Sequence, residues 1–375
     1  MVQAAGRKYV QTWLIIGLVM VLGQVVIGGI TRLTESGLSI TEWEVVSGIL
    51  PPMSQASWEA EFEAYKATPQ YEKIHRGMSM ADFKFIYFWE YFHRLWARIM
   101  GLVFAVPFAY FLYKRWLSKR LVRRLLIAVG LAGLAASFGW IMVASGLIER
   151  PWVNSYKLTM HLSIAVVLFG YLFWTTMLVI QPRIPVINNR LLKNGIVGIL
   201  VLLGAQIILG GMMSGMKAAL AYPTWPDMNG VAIPDILFNS TFWTWENIVE
   251  YDASPLMPAL VQTLHRGTAY ALTIMVLWYA WKALKSNLPT RLRGGTYALL
   301  GMTGLQVLLG ILTVINSTGE VPVDLGVYHQ AGAFIMLAIV LFNWYQFYYS
   351  KNVENSVDNP NVKMASPTLR PIEVQ

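Results

Sequence analysis

Eight stretches of this chain are long and apolar enough to cross a lipid bilayer as helices, and no other feature limits its possible folds so strongly. About 20 apolar residues span the hydrocarbon core of a membrane. The chain is 56% hydrophobic and 13% charged, with a mean hydropathy of +0.49, outside the range of ordinary soluble domains. The sequence therefore predicts an all-α, polytopic membrane protein with eight transmembrane helices, near residues 10–31, 83–113, 121–144, 156–180, 191–215, 257–281, 292–315 and 323–349.

The distribution of charge predicts the orientation of these helices. The loops after the second, fourth and sixth apolar stretches contain lysine and arginine but no acidic residue. Residues 32–82, in contrast, contain four basic and eight acidic residues. By the positive-inside rule both termini are cytoplasmic, and we expect a bacterial inner-membrane protein. The net charge of +9 then reflects topology, so it does not indicate nucleic-acid binding.

The chain reads as two repeated halves of four helices. A Gln-X-X-X-Gly-Gly motif occurs at residues 24–29 and again at 206–211, and a His-Arg pair occurs at 93–94 and 265–266. We expect the glycine pairs to allow close helix packing, with close approach to a flat cofactor as a compatible second use. An even number of helices per half gives both repeats the same orientation. The predicted division is an N-terminal half at 1–185, a C-terminal half at 186–350 and a cytoplasmic tail at 351–375.

Four of the five histidines lie within apolar segments at corresponding places in the two halves: His93, His161, His265 and His329. Two histidines on facing helices can bind one haem iron from both sides. The repeat favours His93 with His161 and His265 with His329, which indicates two haem sites. Hydrogen-bonded packing histidines are one alternative reading, and a proton relay is another. The chain has no cysteine, which excludes disulfides, iron–sulfur clusters and covalent haem attachment.

The two halves differ three residues before their first histidine. Glu90 precedes His93, whereas the uncharged Gln262 precedes His265. Residues at i and i+3 share a helix face, so the Glu90 carboxylate can approach a group bound by His93. A carboxylate inside a membrane is costly unless it has a function. It could transfer protons or stabilise developing positive charge, or it could simply pair with Arg94 at i+4.

Two further features concern the surroundings of the histidines. Arg94, Arg98 and Arg266 are candidates for binding the anionic propionates of a haem, because arginine suits carboxylate contacts. His75 lies in the polar first outer loop, away from the repeat, and is predicted to be a surface residue.

Several motifs together resemble the haem A synthase family, over nearly all of residues 10–349. The most specific stretches are Gly28–Ser39 (GGITRLTESGLS), Gly48–Pro52 (GILPP), Glu90–Arg94 (EYFHR), Gly139–Leu147 (GWIMVASGL) and Tyr222–Met228 (YPTWPDM). One branch of the family has a cysteine pair in the first outer loop, and this chain lacks it. The resemblance therefore points to the branch without those cysteines.

The resemblance implies an eight-helix oxidoreductase that oxidises the C8 methyl group of haem O to a formyl group by successive hydroxylations. His93 and His161 match the substrate-side histidines, Glu90 the catalytic carboxylate, and His265 and His329 the ligands of a haem b iron, with Arg266 beside it. Two histidines on one iron leave no position for oxygen. Either one of the substrate-side histidines leaves the iron, or oxygen is activated elsewhere.

Other functions and partners stay open at the level of sequence. The main alternative is a di-haem cytochrome that exchanges electrons with quinone, and a second is a carrier that passes haem between partners. As an enzyme, the chain is expected to act with the lipid bilayer, a haem O synthase (protohaem farnesyltransferase), an unidentified electron donor and, as one option, further copies of itself.

Overall fold

The computed structural model describes residues 1–41, 50–146, 151–182 and 187–348, and its regular structure there is helical. Gly48 and Ile49 of the second motif, Leu147 of the fourth and the predicted tail at 351–375 lie outside these residues. The helices are α1 Arg7–Leu33, α2 Gln55–Lys66, α3 Pro69–Lys73, α4 Met80–Tyr113, α5 Lys119–Gly146, α6 Ser155–Ile180, α7 Arg190–Gly215, α8 Trp245–Val249, α9 Leu256–Leu284, α10 Thr290–Ile315 and α11 Val323–Tyr348.

Eight of these helices are long, and each corresponds to one of the predicted spans. Seven are long and apolar enough to cross a membrane by length and composition. The eighth, α9, has 29 residues, but Gln262, His265 and Arg266 interrupt its apolar run. The all-α polytopic fold is confirmed, while the crossing of α9 as an eighth span stays a prediction.

The long helices form a central group with a pair on each side. Helices α1, α6, α7 and α11 pack against one another in the centre. On one side α4 packs on α1 and α5 packs on α6, and on the other α9 packs on α7 and α10 packs on α11. Helices α9 and α10 also pack on each other, whereas the described parts of α4 and α5 do not make a comparable contact. Helices α7, α9, α10 and α11 thus form a group closed on all sides, whereas α1, α4, α5 and α6 leave one side open, and the division into two halves stays a prediction.

The second glycine of each pair lies where the two halves meet. A Cβ atom added to Gly29 of α1 would lie 3.2 Å from the amide of Gln330 on α11. A Cβ atom added to Gly211 of α7 would lie 3.1 Å from Leu162 on α6. Glycine therefore lets these backbones approach closely, as expected from the sequence.

Arg32 fastens the end of α1 to the end of α7. Its guanidinium donates 3.0 Å hydrogen bonds to the carbonyl oxygens of Ser214 and Gly215. These carbonyls belong to the last turn of α7, where backbone acceptors have no helical partner. The contact therefore satisfies the helix terminus and joins the N-terminal and C-terminal halves at the predicted outer side.

Reporter fusions test the predicted orientation. Fusions near residues 118, 187 and 287 should report cytoplasm, and fusions near residues 60 and 240 should report the extracytoplasmic side. The reason is the excess of lysine and arginine in the loops between α4 and α5, α6 and α7, and α9 and α10. A cytoplasmic signal from the fusion near residue 60 would overturn the orientation.

Candidate functional site

Each of the four membrane histidines lies against a glycine of the neighbouring helix. The contacts are His93 with Gly28, His161 with Gly139, His265 with Gly210 and His329 with Gly310. An added Cβ atom would lie 3.1, 3.2, 3.5 and 3.1 Å from the respective imidazole rings. A larger side chain at these four positions would occupy the space of the ring. The repeat predicted from the sequence therefore extends to the surroundings of every histidine.

His265 and His329 face each other in the C-terminal half. Their ring centroids are 6.3 Å apart and the ring planes are inclined by 74°. Two imidazoles that bind one metal ion from opposite sides, with bonds of about 2.0–2.1 Å, place their centroids at about this separation. The side-chain amide of Gln206 lies 3.1 Å from Nε2 of His265. Which of the two nitrogens donates depends on the tautomer of His265, and the contact in either case fixes the orientation of the ring.

His93 and His161 are brought to the same region of the N-terminal half but do not make the corresponding ring contact. They are close enough to act on each other electrostatically. His161 is held against α5, because its Nδ1 lies 2.9 Å from the carbonyl oxygen of Ala135.

Glu90 is a buried carboxylate with three identified donors. Its side chain is 3% exposed, and its Oε1 accepts a 2.5 Å hydrogen bond from Arg94. Its Oε2 accepts 2.8 Å hydrogen bonds from the Ser39 hydroxyl and from the Ile40 backbone N–H. The ion pair with Arg94 considered from the sequence is thus present, but it is one contact of three. The hydrogen bonds from Ser39 and Ile40 also hold the end of the segment at residues 34–41 against α4.

Gln262, the residue of the C-terminal half that corresponds to Glu90, binds the second outer loop. Gln262 donates a 2.8 Å hydrogen bond to the Tyr222 carbonyl oxygen. Arg266 donates to the carbonyl oxygens of Tyr222, Thr224 and Asp227 at 3.1, 2.7 and 2.7 Å. The Nε of Arg266 is buried without a partner in the described structure, as is Oε1 of Gln262. A buried, unpartnered guanidinium N–H beside His265 leaves one donor for an anionic group such as a propionate.

His75 is not a simple surface residue, contrary to the prediction. Its side chain is 14% exposed, with Nε2 at 3.3 Å from the Glu35 carboxylate and Nδ1 at 2.6 Å from the Tyr65 hydroxyl. Lys217, from the second outer loop, also pairs with Glu35. The hydrogen bond from His75, followed by the contacts with Lys217, lowers the pKa of Glu35 to about 2. The cluster joins the two outer loops, which a linear sequence does not reveal.

The donor set in this region suits a haem better than a bare metal ion. Within residues 1–41, 50–146, 151–182 and 187–348, no three His, Asp or Glu side chains converge into a metal-ion site. Two facing imidazoles supply only two ligands, so the remaining ligands must come from the bound group, as in a tetrapyrrole. The glycines beside the rings leave room for the imidazoles themselves and so fix where each ring lies.

Sequence reasoning missed several residues at these sites. Ser39, Gly139 and Gly310 touch the proposed site residues, but they were not assigned to the site from the sequence. The spacing of Gly310 from Gln306 repeats that of Gly210 from Gln206, so the repeat could have identified it. Ser39 ends the first of the quoted motifs, but nothing in the sequence indicates its contact with Glu90, which lies 51 residues further along the chain.

Comparisons with known proteins show which family the chain is similar to. Residues 11–341 match the COX15-CtaA family, described as "Cytochrome oxidase assembly protein". The chain is 40% identical over 339 residues to a protein of Parvibaculum lavamentivorans named "Heme A synthase", covering 90% of this chain and 94% of that one. It is 38% identical over 347 residues to a protein of the same name from Flavobacterium psychrophilum, covering 91% and 98%. A third protein of that name, from Bradyrhizobium diazoefficiens, is 40% identical over 336 residues, covering 89% and 90%.

Proposed function

The chain belongs to the COX15-CtaA family, and from this premise we propose that it is an oxidoreductase that converts haem O to haem A. The reaction oxidises the C8 methyl group of haem O to a formyl group for terminal oxidase assembly. The observation that best supports it is the difference between two otherwise repeated histidine sites. Only the N-terminal site has a buried carboxylate, Glu90, one helical turn from its first histidine.

The conversion requires two hydroxylations of one carbon. The first gives a hydroxymethyl group, the second a geminal diol, and loss of one water from the diol leaves the aldehyde. With O2 as the oxidant, each hydroxylation inserts one oxygen atom into a C–H bond and reduces the other to water with two electrons from a donor and two protons. Haem O is the substrate, and His93 and His161 are the residues proposed to hold its iron.

Glu90 and Ser39 are the residues proposed to handle protons at the N-terminal site. Of the partners of Glu90, the backbone N–H of Ile40 and the guanidinium of Arg94 can only donate hydrogen bonds. The Ser39 hydroxyl can both donate and accept, so a proton can pass through it to or from Oε2 of Glu90. Arg94 holds the other carboxylate oxygen and fixes the orientation of the side chain.

The C-terminal half is proposed to hold haem b permanently. His265 and His329 would hold its iron, and the buried, unpartnered Nε of Arg266 would be available to donate to a propionate. When bound there, haem b supplies one-electron transfer. The amide of Gln206 and the backbone of Gly210 set the position of the His265 ring.

A di-haem cytochrome that exchanges electrons with quinone is the second candidate function. The facing histidines His265 and His329 favour it equally, because electron transfer needs only permanently bound haems. Electron transfer alone does not explain why the N-terminal half has a buried carboxylate, Glu90, where the C-terminal half has an amide, Gln262. The two functions differ in whether the haem of the N-terminal half is chemically altered.

The proposal also includes the cellular location and the partners of the chain. The several apolar helices place the chain in a membrane as a multi-pass protein. We propose the bacterial inner membrane with both termini cytoplasmic. A haem O synthase would supply the substrate and an electron donor would reduce the protein, and a homo-oligomer is compatible with the large apolar surface.

Acid extraction of haem tests the proposed function. The chain should be expressed with a haem O synthase in a host that makes no haem A, and the extracted haems separated by chromatography. We expect haem A to appear only when both proteins are present. Haem O without haem A or a hydroxylated product, in membranes that contain the folded chain, would contradict the enzymatic function.

A further inference from the structure

The N-terminal half is open on one side, between α4 and α5. In the C-terminal half the equivalent helices, α9 and α10, pack on each other and close the bundle. The described parts of α4 and α5 lack such packing, although a turn of only five residues, 114–118, joins them. Between residues 91 and 110 of α4 no side chain is fully buried, and none is buried in α5 between residues 129 and 144.

The side chains on these two helices form an apolar surface. Large apolar side chains that are exposed on α4 include Ile99, Leu102 and Val106, and those on α5 include Leu126 and Leu134. Charged side chains that would face lipid at these depths are absent from residues 99–113 of α4 and 125–144 of α5. An isoprenoid chain can lie on such a surface at no cost in desolvation.

The opening lies beside the histidines proposed to hold the substrate. His93 belongs to α4, and His161 is held by the Ala135 carbonyl oxygen and the Gly139 backbone of α5. The two helices that border the opening are therefore the two that carry or support these histidines. In the C-terminal half the rings of His265 and His329 are in contact, and the corresponding helices α9 and α10 pack on each other.

We propose that haem O enters the N-terminal half sideways from the bilayer, through the opening between α4 and α5, and that its farnesyl chain stays on the apolar surface of these helices. This inference rests on the proposed function. A substrate must enter and leave in every catalytic cycle, whereas a permanent haem b needs no route. The half that would exchange a substrate is the open one, and the half that would hold haem b permanently is the closed one. A farnesyl-bearing haem is itself a membrane-soluble molecule, so the bilayer is its natural source.

The chain is suited to a direct test because it contains no cysteine, so reagents react only at introduced thiols. Leu102→Cys with Gly130→Cys places one thiol on α4 and one on α5, the two helices that border the opening. Leu102 lies nine residues after His93 on α4, and Gly130 lies nine residues before Gly139, the glycine beside His161, on α5. Ile274→Cys with Gly301→Cys is the matched control in the closed half (265 to 274, and 310 to 301). Leu102 and Ile274 are similarly exposed, at 63% and 67%, and an added Cβ meets no atom within 4 Å at either glycine.

Spin labels on the two pairs test the opening itself. In nanodiscs, the Leu102/Gly130 pair should give a longer and broader distance distribution than the Ile274/Gly301 pair. Equal distributions would show that the opening is absent and would overturn the inference. Efficient cross-linking between chains through Leu102→Cys alone would show that a second copy covers the surface, which would also overturn it.

Tethering tests the route. A bismaleimide that spans about 10 Å, the usual distance between packed helices, should be reacted with each pair before haem O is added to the nanodisc lipid. We expect the tethered Leu102/Gly130 protein to bind haem O more than about tenfold more slowly than the same protein without the tether, and the tethered Ile274/Gly301 protein to be unaffected. Bound haem O is measured by extraction, and retained haem b shows that the protein is folded.

Failure of the route and failure of the proposed function are distinguishable in this experiment. If the untethered protein forms haem A and the N-terminal tether changes neither haem O binding nor haem A formation, only the lateral route is wrong. If the untethered protein binds haem O but never alters it, the proposed function itself is wrong.

Discussion

Replacing either histidine of the C-terminal pair by alanine should abolish tightly bound haem b. We expect His265→Ala and His329→Ala to reduce haem b per chain by more than about tenfold, since loss of even an outer-shell partner of a metal ligand costs 10–100-fold in affinity. Each variant removes one of the two residues that would hold the haem b iron and leaves a cavity beside Gly210 or Gly310. The measurement is the low-spin absorption spectrum of purified protein with quantified haem.

Two comparisons make this result specific. The change His75→Ala removes a histidine outside the membrane helices, from the cluster with Glu35, and should leave the haem b spectrum intact. External imidazole should restore a low-spin spectrum in the alanine variants, because it can replace the missing ligand. If both variants keep an unchanged low-spin haem b, the pairing of His265 with His329 is wrong.

Glu90→Gln should stop the conversion of haem O while leaving the C-terminal haem b in place. General acid–base groups contribute about 10²–10⁴-fold to a rate, so we expect the ratio of haem A to haem O to fall by about 100-fold or more. The amide keeps the size of Glu90 but cannot exchange a proton with Ser39 in the same way. The ratio is measured by chromatography of haem extracted from matched membranes.

The structure also predicts that Glu90→Gln lowers the stability of the protein. This loss of stability must be distinguished from a loss of catalysis. An exposed ion pair on a helix contributes about 0.2–0.5 kcal/mol, but breaking a buried pair by removing one partner costs about 3–5 kcal/mol. Glu90 and Arg94 have side chains that are only 3% and 12% exposed, so the larger range applies.

Two variants separate the roles. The double change of Glu90 and Arg94 to glutamine removes both charges, and it should regain stability but not haem A formation. Glu63→Gln, which breaks an exposed pair with Lys66, is the control for a change from carboxylate to amide. Full haem A formation by a well-expressed Glu90→Gln protein would contradict the catalytic role.

The helices and the histidine repeat were predictable from the sequence because both depend on local pattern. Apolar length decides where a helix can span the bilayer, so the predicted boundaries lie within a few residues of those in α1 and α4–α7. The pairing of His265 with His329 follows from the repeat of 172 and 168 residues (93 to 265, and 161 to 329), and the ring contact agrees with it.

Contacts between distant segments were not predictable. Ser39 and Ile40 reach Glu90 from the first outer loop, and Lys217 reaches Glu35 from the second. His75 looked like a surface residue because its sequence neighbours are polar, but its partners come from elsewhere in the fold. The opening between α4 and α5 is a difference in packing between repeats, and neither helix differs in apolar pattern enough to reveal it.

The identity of the haems in the purified protein tests the central claim most directly. The chain should be purified from cells that also produce haem O, and its haems extracted, separated and weighed by mass spectrometry. The account predicts one unmodified haem b per chain together with a second haem that carries a hydroxymethyl or formyl group at C8. Two unmodified haem b molecules per chain, with no altered haem in the membrane, would contradict it and identify an electron-transfer cytochrome instead.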